Sequence, residues 1–348
     1  MLHRINKAQP LTWLTPHSIQ IGLGENQVRI SDLDLAQQQI IASLYSGIVE
    51  GQQEAVDGAH NAELGLTKSL IELLEPLSEK HQPSDHKYFD ALAFAELART
   101  SLDYQVNGEM VLAERWQRNV HIDQLDRTGL LLAKALIGSG IGKIITHDDG
   151  LVLNTDIGEL GYPKEFLGTT RHLAAKQILS KLSNSAYERI FMLQSSKRSD
   201  YKISFAITVG HLALAPRTYS RWLNRDVNHL AIRFGLHDAE VSPIVIPGSS
   251  PCLNCYQEAL VDEDESWPII ASQLLDLPRM RDDSAALLTT SGLAIRSILR
   301  NLDEQAGFKS SMQEAENYSQ GYLIDYASGN ITRRNFDFHN LCSCSGIT

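Results

Sequence analysis

The residues of this chain whose types and spacing promise chemistry are its four cysteines, because they come as two pairs. Cys252 and Cys255 form a CxxC hook just after the apolar run Pro243-Ile244-Val245-Ile246-Pro247, and Cys342 and Cys344 form a CxC pair much further on. Zinc takes four thiolates in a tetrahedron, and two short hooks supply them because each brings two sulfurs to one ion. Four cysteines among 348 residues are too few for a disulfide scaffold, and a redox CxxC needs no second pair. The alternative is four unrelated cysteines. The pairing predicts a closed, structural Zn2+ site that clamps the distal segment onto the core, so that binding energy becomes folding energy.

A second stretch has the position of a phosphate loop without its composition. Nucleotide-binding βαβ units carry GxGxxG between the first strand and helix, so that backbone N–H groups and the helix N-terminus can approach phosphate. Here the stretch reads Asp123-Gln124-Leu125-Asp126-Arg127-Thr128-Gly129. Only Gly129 remains, Gln124 and Asp126 put side chains where phosphates would lie, and Asp126 adds repulsive charge that Arg127 offsets in part. Asp148, about 20 residues further on, is either a ribose-binding acid or a solvated residue opening a turn before Gly150. His147 and His211 read as polar strand-end residues, since no paired nucleophile is visible.

These residues need a scaffold, and the pattern supplies an α/β one. Strand candidates at 119–123, 143–147, 189–193, 203–209 and 241–246 alternate with helical stretches at 129–138, 171–182 and 217–236. Alternation of this kind implies a doubly wound, Rossmann-like sheet. The first 110 residues differ. Ser18–Gly22 and Gln27–Ile30 alternate polar and apolar around a Gly24 turn, as a hairpin does. Asp32 or Asp34 can cap a helix over residues 36–45 with Ile40, Ile41 and Leu44 on one face. Helical spacing recurs over 64–77, residues 81–86 read as a loop, and 88–102 as further helix or strand. This is the outline of a small winged-helix-like α+β module. Trp13, Tyr45 and Tyr88 are candidates for a peptide groove or for its core.

The composition is that of an ordinary globular protein, 43% apolar and 21% charged. A net charge of −11 with scattered basic residues argues against nucleic acid or an anionic membrane as partner. No window reaches the roughly 18 apolar residues of a spanning helix, and the N-terminus lacks the apolar core of a secretion signal. The expected location is the cytoplasm.

With these residues in view, the chain resembles the ThiF/MoeB superfamily of ubiquitin-activating-type adenylyltransferases. The resemblance is to the ThiF-like leader-peptide-binding and cyclodehydratase-associated proteins of ribosomal peptide natural-product (RiPP) clusters. It is carried by Asp126-Arg127-Thr128-Gly129, Gly140-Ile141-Gly142-Lys143-Ile144-Ile145 and Asp148-Asp149-Gly150-Leu151-Val152. Val241 to Gly248, Pro251 to Cys255, Ser266-Trp267-Pro268 and His339 to Cys344 continue it. The resemblance implies zinc on Cys252, Cys255, Cys342 and Cys344, a winged-helix module at 1–110 for a leader peptide, a ThiF-like domain at 111–348, and a homodimer. It also implies an ATP/Mg2+ site whose surviving residues would be Asp148, Arg127, Gly129 and Arg171, the last standing where the family has a lysine. The family's arginine is replaced in Asp156-Ile157-Gly158-Glu159 and its magnesium-binding acid by Gly210-His211. With loop, arginine and acid altered, the expectation is a degenerate member, a pseudoenzyme binding a peptide or partner protein and recruiting a ribosomal peptide precursor to a modifying enzyme. The alternative is an ATP-dependent adenylyltransferase activating a peptide carboxylate or amide.

Overall fold

The computed structural model describes residues 4–6, 8–24, 27–46, 68–79, 94–180, 190–192, 202–277, 283–309 and 318–346. The chain divides into two compact units, Met1–Glu114 with Gly307–Gln313 and Arg115–Ala306 with Glu314–Thr348.

In the first unit, β1 (Arg4–Ile5) pairs with β5 (Ser78–Glu79), and β2 (Leu11–Thr15), β3 (Ser18–Ile21) and β4 (Val28–Ile30) form a three-stranded antiparallel sheet. The expected hairpin is the β3–β4 pair, with Ile19 opposite Ile30 and Ile21 opposite Val28. Those isoleucines bury against Ile41 and Leu44 of the Leu35–Ser46 helix and Leu70 and Leu74 of the Lys68–Leu74 helix. Asp34 caps the first of these helices: it accepts from the Gln37 N–H while Gln37 reaches back to the Asp34 N–H, a reciprocal box. A further strand, β2, runs along the edge of this sheet. It escaped the sequence reading because four of its five residues are exposed, which erases the alternation a half-buried strand shows. The expected helix over 64–77 and the mixed segment over 88–102 are described only as Lys68–Leu74 and Phe94–Tyr104; the 81–86 loop and Tyr88 lie outside the described residues.

The second unit is built on an eight-stranded sheet of order β13-β12-β11-β10-β9-β6-β7-β8. Its strands are β6 (Asn119–Ile122), β7 (Lys143–Thr146), β8 (Ile190–Met192), β9 (Phe205–His211), β10 (His229–Phe234), β11 (Asp238–Val241), β12 (Gln320–Asp325) and β13 (Ile331–Asn335). The five from β10 to β8 are parallel, and β11 to β13 extend them antiparallel. The chain runs outward from β6 to β8, then returns to β9 on the other side of β6. The order therefore reverses between β6 and β9, which is where open α/β sheets bind ligands. One face of the sheet packs Val120, Ile122, Ile207 and Ile232 against the Arg127–Gly138 and Ser284–Gln305 helices. The Pro216–Leu223 helix covers residues of the other face.

Two expectations need correction. The span 217–236 is not one helix but the Pro216–Leu223 helix followed by β10. Trp222, Leu223, Val227 and Leu230 fit helical spacing, yet His229-Leu230-Ala231-Ile232-Arg233-Phe234 also alternates, and pairing with β9 decides for the strand. The strand expected at 241–246 ends at Val241, beyond which Val245 makes only an isolated bridge to His229.

Candidate functional site

The loop after β6 closes on itself. Asp126 is the N-cap of the Arg127–Gly138 helix, and its carboxylate accepts the Gly129 N–H at 2.9 Å. A β-carbon on Gly129 would lie 1.9 Å from the Gln124 carbonyl oxygen, so the glycine is kept for the close return of this loop. Asp148, just beyond β7, turns toward the same loop. One carboxylate oxygen accepts the Leu125 N–H at 2.7 Å and the other the Gly150 N–H at 2.8 Å. The Tyr162 hydroxyl donates to the Leu125 carbonyl at 2.6 Å, and Arg127 donates to Ser284 Oγ at 2.9 Å.

Arg171 is bound just as closely. Its Nε and Nη2 both reach Asp156 Oδ2, at 2.9 and 2.8 Å, and its Nη1 lies 3.5 Å from Asp148. Burial opposes its charge, but the Asp156, Asp126 and Asp148 carboxylates together outweigh burial and raise the guanidinium pKa. Asp156 also accepts the Leu153 N–H at 2.9 Å. The four nucleotide candidates Arg127, Gly129, Asp148 and Arg171 are therefore brought together, but onto one another and onto three buried acids, Asp126, Asp148 and Asp156. Sequence reasoning took Asp156 only as the mark of a lost arginine. The signal it missed was compensation: an acid gained where a cation is lost, beside a new arginine.

Beside this loop, at the reversal of strand order, lies a cavity of about 430 Å³ between the end of β9, the start of the Pro216–Leu223 helix and residues 272–277. Gln124, His211, Arg217, Thr218, Ser272 and Asp276 are its polar lining, with Leu274, Leu275 and Leu277 among the apolar residues. His211 stacks on Phe234 and stands 3.7 Å from Asp126. On the other side of β6, His121 is fully buried under Trp222 and bonds His147 at 2.8 Å.

The cysteines converge as their spacing predicts. Cys252 precedes the Leu253–Glu263 helix, Cys255 sits in its first turn, and Cys342 and Cys344 arrive after β13, all four buried. Neighbouring sulfurs stand 3.9, 3.5, 3.3 and 3.5 Å apart, and all four lie within 4.8 Å of one another. Four thiolates at about 2.3 Å from one ion would be separated by roughly 3.8 Å. The donor set fits a four-coordinate metal. Leu214, Tyr219, Ala231 and Val245 wrap it. The Trp267 indole donates to Gln257 of the Leu253–Glu263 helix, at 3.1 Å. Burial pushes the Cys344 thiol up to about 11; Cys255 goes the other way, because backbone and cysteine hydrogen bonds led by that of His339 outweigh burial.

No protein-family model matches the chain, and no curated protein does. Solved structures do resemble it. E. coli MccB with ATP superimposes with a TM-score of 0.65 at 13% identity, over 99% of each chain. The microcin C7 biosynthetic enzyme MccB in complex with N-formylated MccA gives 0.63 at 14% identity, over 99% of this chain and 100% of that one. The chain has the MccB fold. PaaA matches with a TM-score of 0.59 at 16% identity, over 95% of this chain and 99% of its own. The ThiF-like fold expected from the sequence is thus shown. The MccB fold accounts for the parallel sheet and for a likeness that runs through nearly the whole chain. At 13–16% identity it speaks of fold alone. No helix among the described residues is long and apolar enough to cross a membrane.

Proposed function

We propose that this chain is a degenerate ThiF-like protein that binds a peptide and presents a ribosomal peptide precursor to a modifying enzyme, without adenylating it. The observation that carries this reading is the self-closure of the loop after β6. A nucleotide needs free N–H groups, a free cation and low negative charge. The Gly129 and Leu125 N–H groups are spent on Asp126 and Asp148, and Arg171 on Asp156.

The peptide site is the outer edge of β2, in a winged-helix-like module covering about residues 1–110. β2 is an edge strand carrying half-exposed Trp13 and Leu14, and these two with Thr15, Pro16 and Gln38 line a groove of about 280 Å³. An extended peptide adds to such an edge through backbone hydrogen bonds and takes its specificity from alternate side chains. The α/β domain at 111–348 holds a structural Zn2+ on Cys252, Cys255, Cys342 and Cys344. The protein works in the cytoplasm, as a homodimer, and engages no nucleic acid.

The test uses the full chain and a labelled leader segment of a ribosomal peptide precursor, followed by fluorescence anisotropy with and without ATP and Mg2+. Binding independent of nucleotide, and weakened tenfold or more by Trp13→Ser, is the expected result. Binding indifferent to Trp13 would remove the edge-strand site. The second reading, an adenylyltransferase activating a peptide carboxylate or amide, is favoured by the cavity left beside the closed loop. ATP–pyrophosphate exchange that depends on peptide and on Asp148 would establish it in place of the first.

A further inference from the structure

We propose that Asp123, His121 and His147 form a proton relay, through which a falling pH neutralises the buried Asp123–Arg221 ion pair and releases the Pro216–Leu223 helix. His147 follows β7 and is exposed; its Nδ1 meets Nε2 of His121, a fully buried residue of β6, at 2.8 Å. The other ring nitrogen of His121 makes no hydrogen bond among the described residues, and Asp123 Oδ1 stands 3.5 Å from it. Asp123 accepts from Arg221 of the helix and, through Oδ2, from the Thr208 hydroxyl of β9 at 2.8 Å. Arg221 in turn lies over the Trp222 ring, 4.4 Å from its centre. Two imidazoles, a carboxylate and a guanidinium thus make one chain of contacts from the surface to the helix.

These contacts fix where the hydrogens sit. A neutral imidazole has one N–H and one lone pair, and a neighbouring carboxylate selects the N–H. A lone pair on His121 Nδ1 would face Asp123 and be repelled, so that nitrogen carries the hydrogen. His121 Nε2 is then an acceptor, His147 Nδ1 its donor, and His147 Nε2 a lone pair turned outward. A proton taken up there passes inward. His147 gives its Nδ1 proton to His121 Nε2, and His121 gives its own to Asp123 Oδ1 once the 3.5 Å contact shortens to hydrogen-bond length. Both rings end neutral in the opposite tautomer, and the carboxylate ends as a carboxylic acid. The surroundings push the proton the same way. Burial, then Arg221 and Arg225, oppose an imidazolium at either ring; burial also raises the Asp123 carboxyl above its ordinary value, although Arg221 and Thr208 work against it. His229, the imidazole beyond β9, is turned away to the Val227 carbonyl at 2.8 Å. With Asp123 neutral, the helix loses its charged tie to the end of β6. The same helix supplies Pro216, Arg217 and Thr218 to the wall of the cavity at the strand-order reversal, so acid loosens that wall.

The experiment follows the full-length chain from neutral to mildly acidic pH. Proton–nitrogen correlation spectra of isotope-labelled histidines, assigned with His121→Gln and His147→Gln, read the tautomers. Amide hydrogen exchange over residues 216–223, corrected for its intrinsic pH dependence, reads the helix. At neutral pH both rings should carry the hydrogen on Nδ1. Acid should convert both to the Nε2–H form without an imidazolium and quicken exchange of the helix about tenfold or more. Asp123→Asn removes the charge and offers His121 an amide N–H, which imposes the other tautomer; at neutral pH it should already show the acid pattern in both readings. Either ring found as Nε2–H in wild type at neutral pH would overturn the relay. So would an imidazolium forming at His147 on acidification. Helix exchange indifferent to acid, or to Asp123→Asn, would overturn the release of the helix.

Discussion

Asp126 shows how one side chain can satisfy a helix N-terminus from within the chain. A helix N-terminus carries unsatisfied N–H groups and partial positive charge, and in a nucleotide site the phosphate answers both. Here the chain supplies its own anion, buried and bonded to Gly129. The sequence showed that a carboxylate stood where glycine was expected; it could not show whether that carboxylate pointed at a ligand or at the backbone. Asp156 was less legible still, because its partner Arg171 lies 15 residues away and only folding brings the two within 2.8 Å. The cysteines were legible for the opposite reason: soft ligands in short hooks have few other uses. If Asp126 is a cap rather than a relic, Asp126→Ala should cost about 1 kcal/mol of stability. Urea unfolding should show this as a lower midpoint, and the variant should still fail to bind ATP by calorimetry, since Asp148 and Asp156 remain. An unchanged midpoint would mean that the Gly129 N–H finds another partner without loss.

At the scale of elements, the parallel strands were readable because each is a short apolar run between helical periods. The antiparallel extension was not. β12 and β13 lie on the sheet margin with partly exposed residues, so neither pattern nor hydrophobicity marks them. The face of the sheet under the Pro216–Leu223 helix carries a further consequence of register. His121 of β6 and His229 of β10 both pair with Ala206 of β9, which sets two buried imidazoles in one row across three strands. Burial lowers the His229 pKa to about 4 and holds His121 well below the usual imidazole range. Unfolded, a histidine takes up a proton near 6.5. Between those values the unfolded chain binds protons that the folded chain refuses. Stability from His229 is therefore fully present above about pH 6.5 and lost as pH falls toward 4, with on the order of 3 kcal/mol at stake. Denaturant midpoints measured at pH 7 and pH 5 should fall more for wild type than for His229→Gln. His121, still acting in the same direction, keeps some slope in the variant. Equal slopes would show that His229 is solvated enough to ionise in the folded state.

For the whole α/β unit, the decisive connection joins residues far apart in sequence. Cys252 and Cys342 are separated by 90 residues, and the described residues between them form three helices and β12 and β13. A cross-link closing a loop of that length removes much of the unfolded chain's freedom, worth about 4 kcal/mol in the chain-entropy account, and a structural metal acts in the same sense. Weaker ties also hold the returning segment. Phe336 packs on Tyr256 at 5.0 Å, Tyr256 donates to buried Glu240 at 2.8 Å, and His339 meets Asp262 at 2.9 Å. With a metal held as proposed on the four sulfurs, stripping it should therefore loosen the unit without unfolding it. We expect a chelator to lower the thermal midpoint of wild type by roughly 10 °C, given about 2–4 °C per kcal/mol for a unit of this size. Cys342→Ser/Cys344→Ser should start near that lowered midpoint and not respond to chelator at all, which separates loss of the clamp from a general effect of chelation. If wild type proves equally indifferent, the four sulfurs are only a buried cluster, and the hairpin and its aromatic contacts hold the end of the chain by themselves.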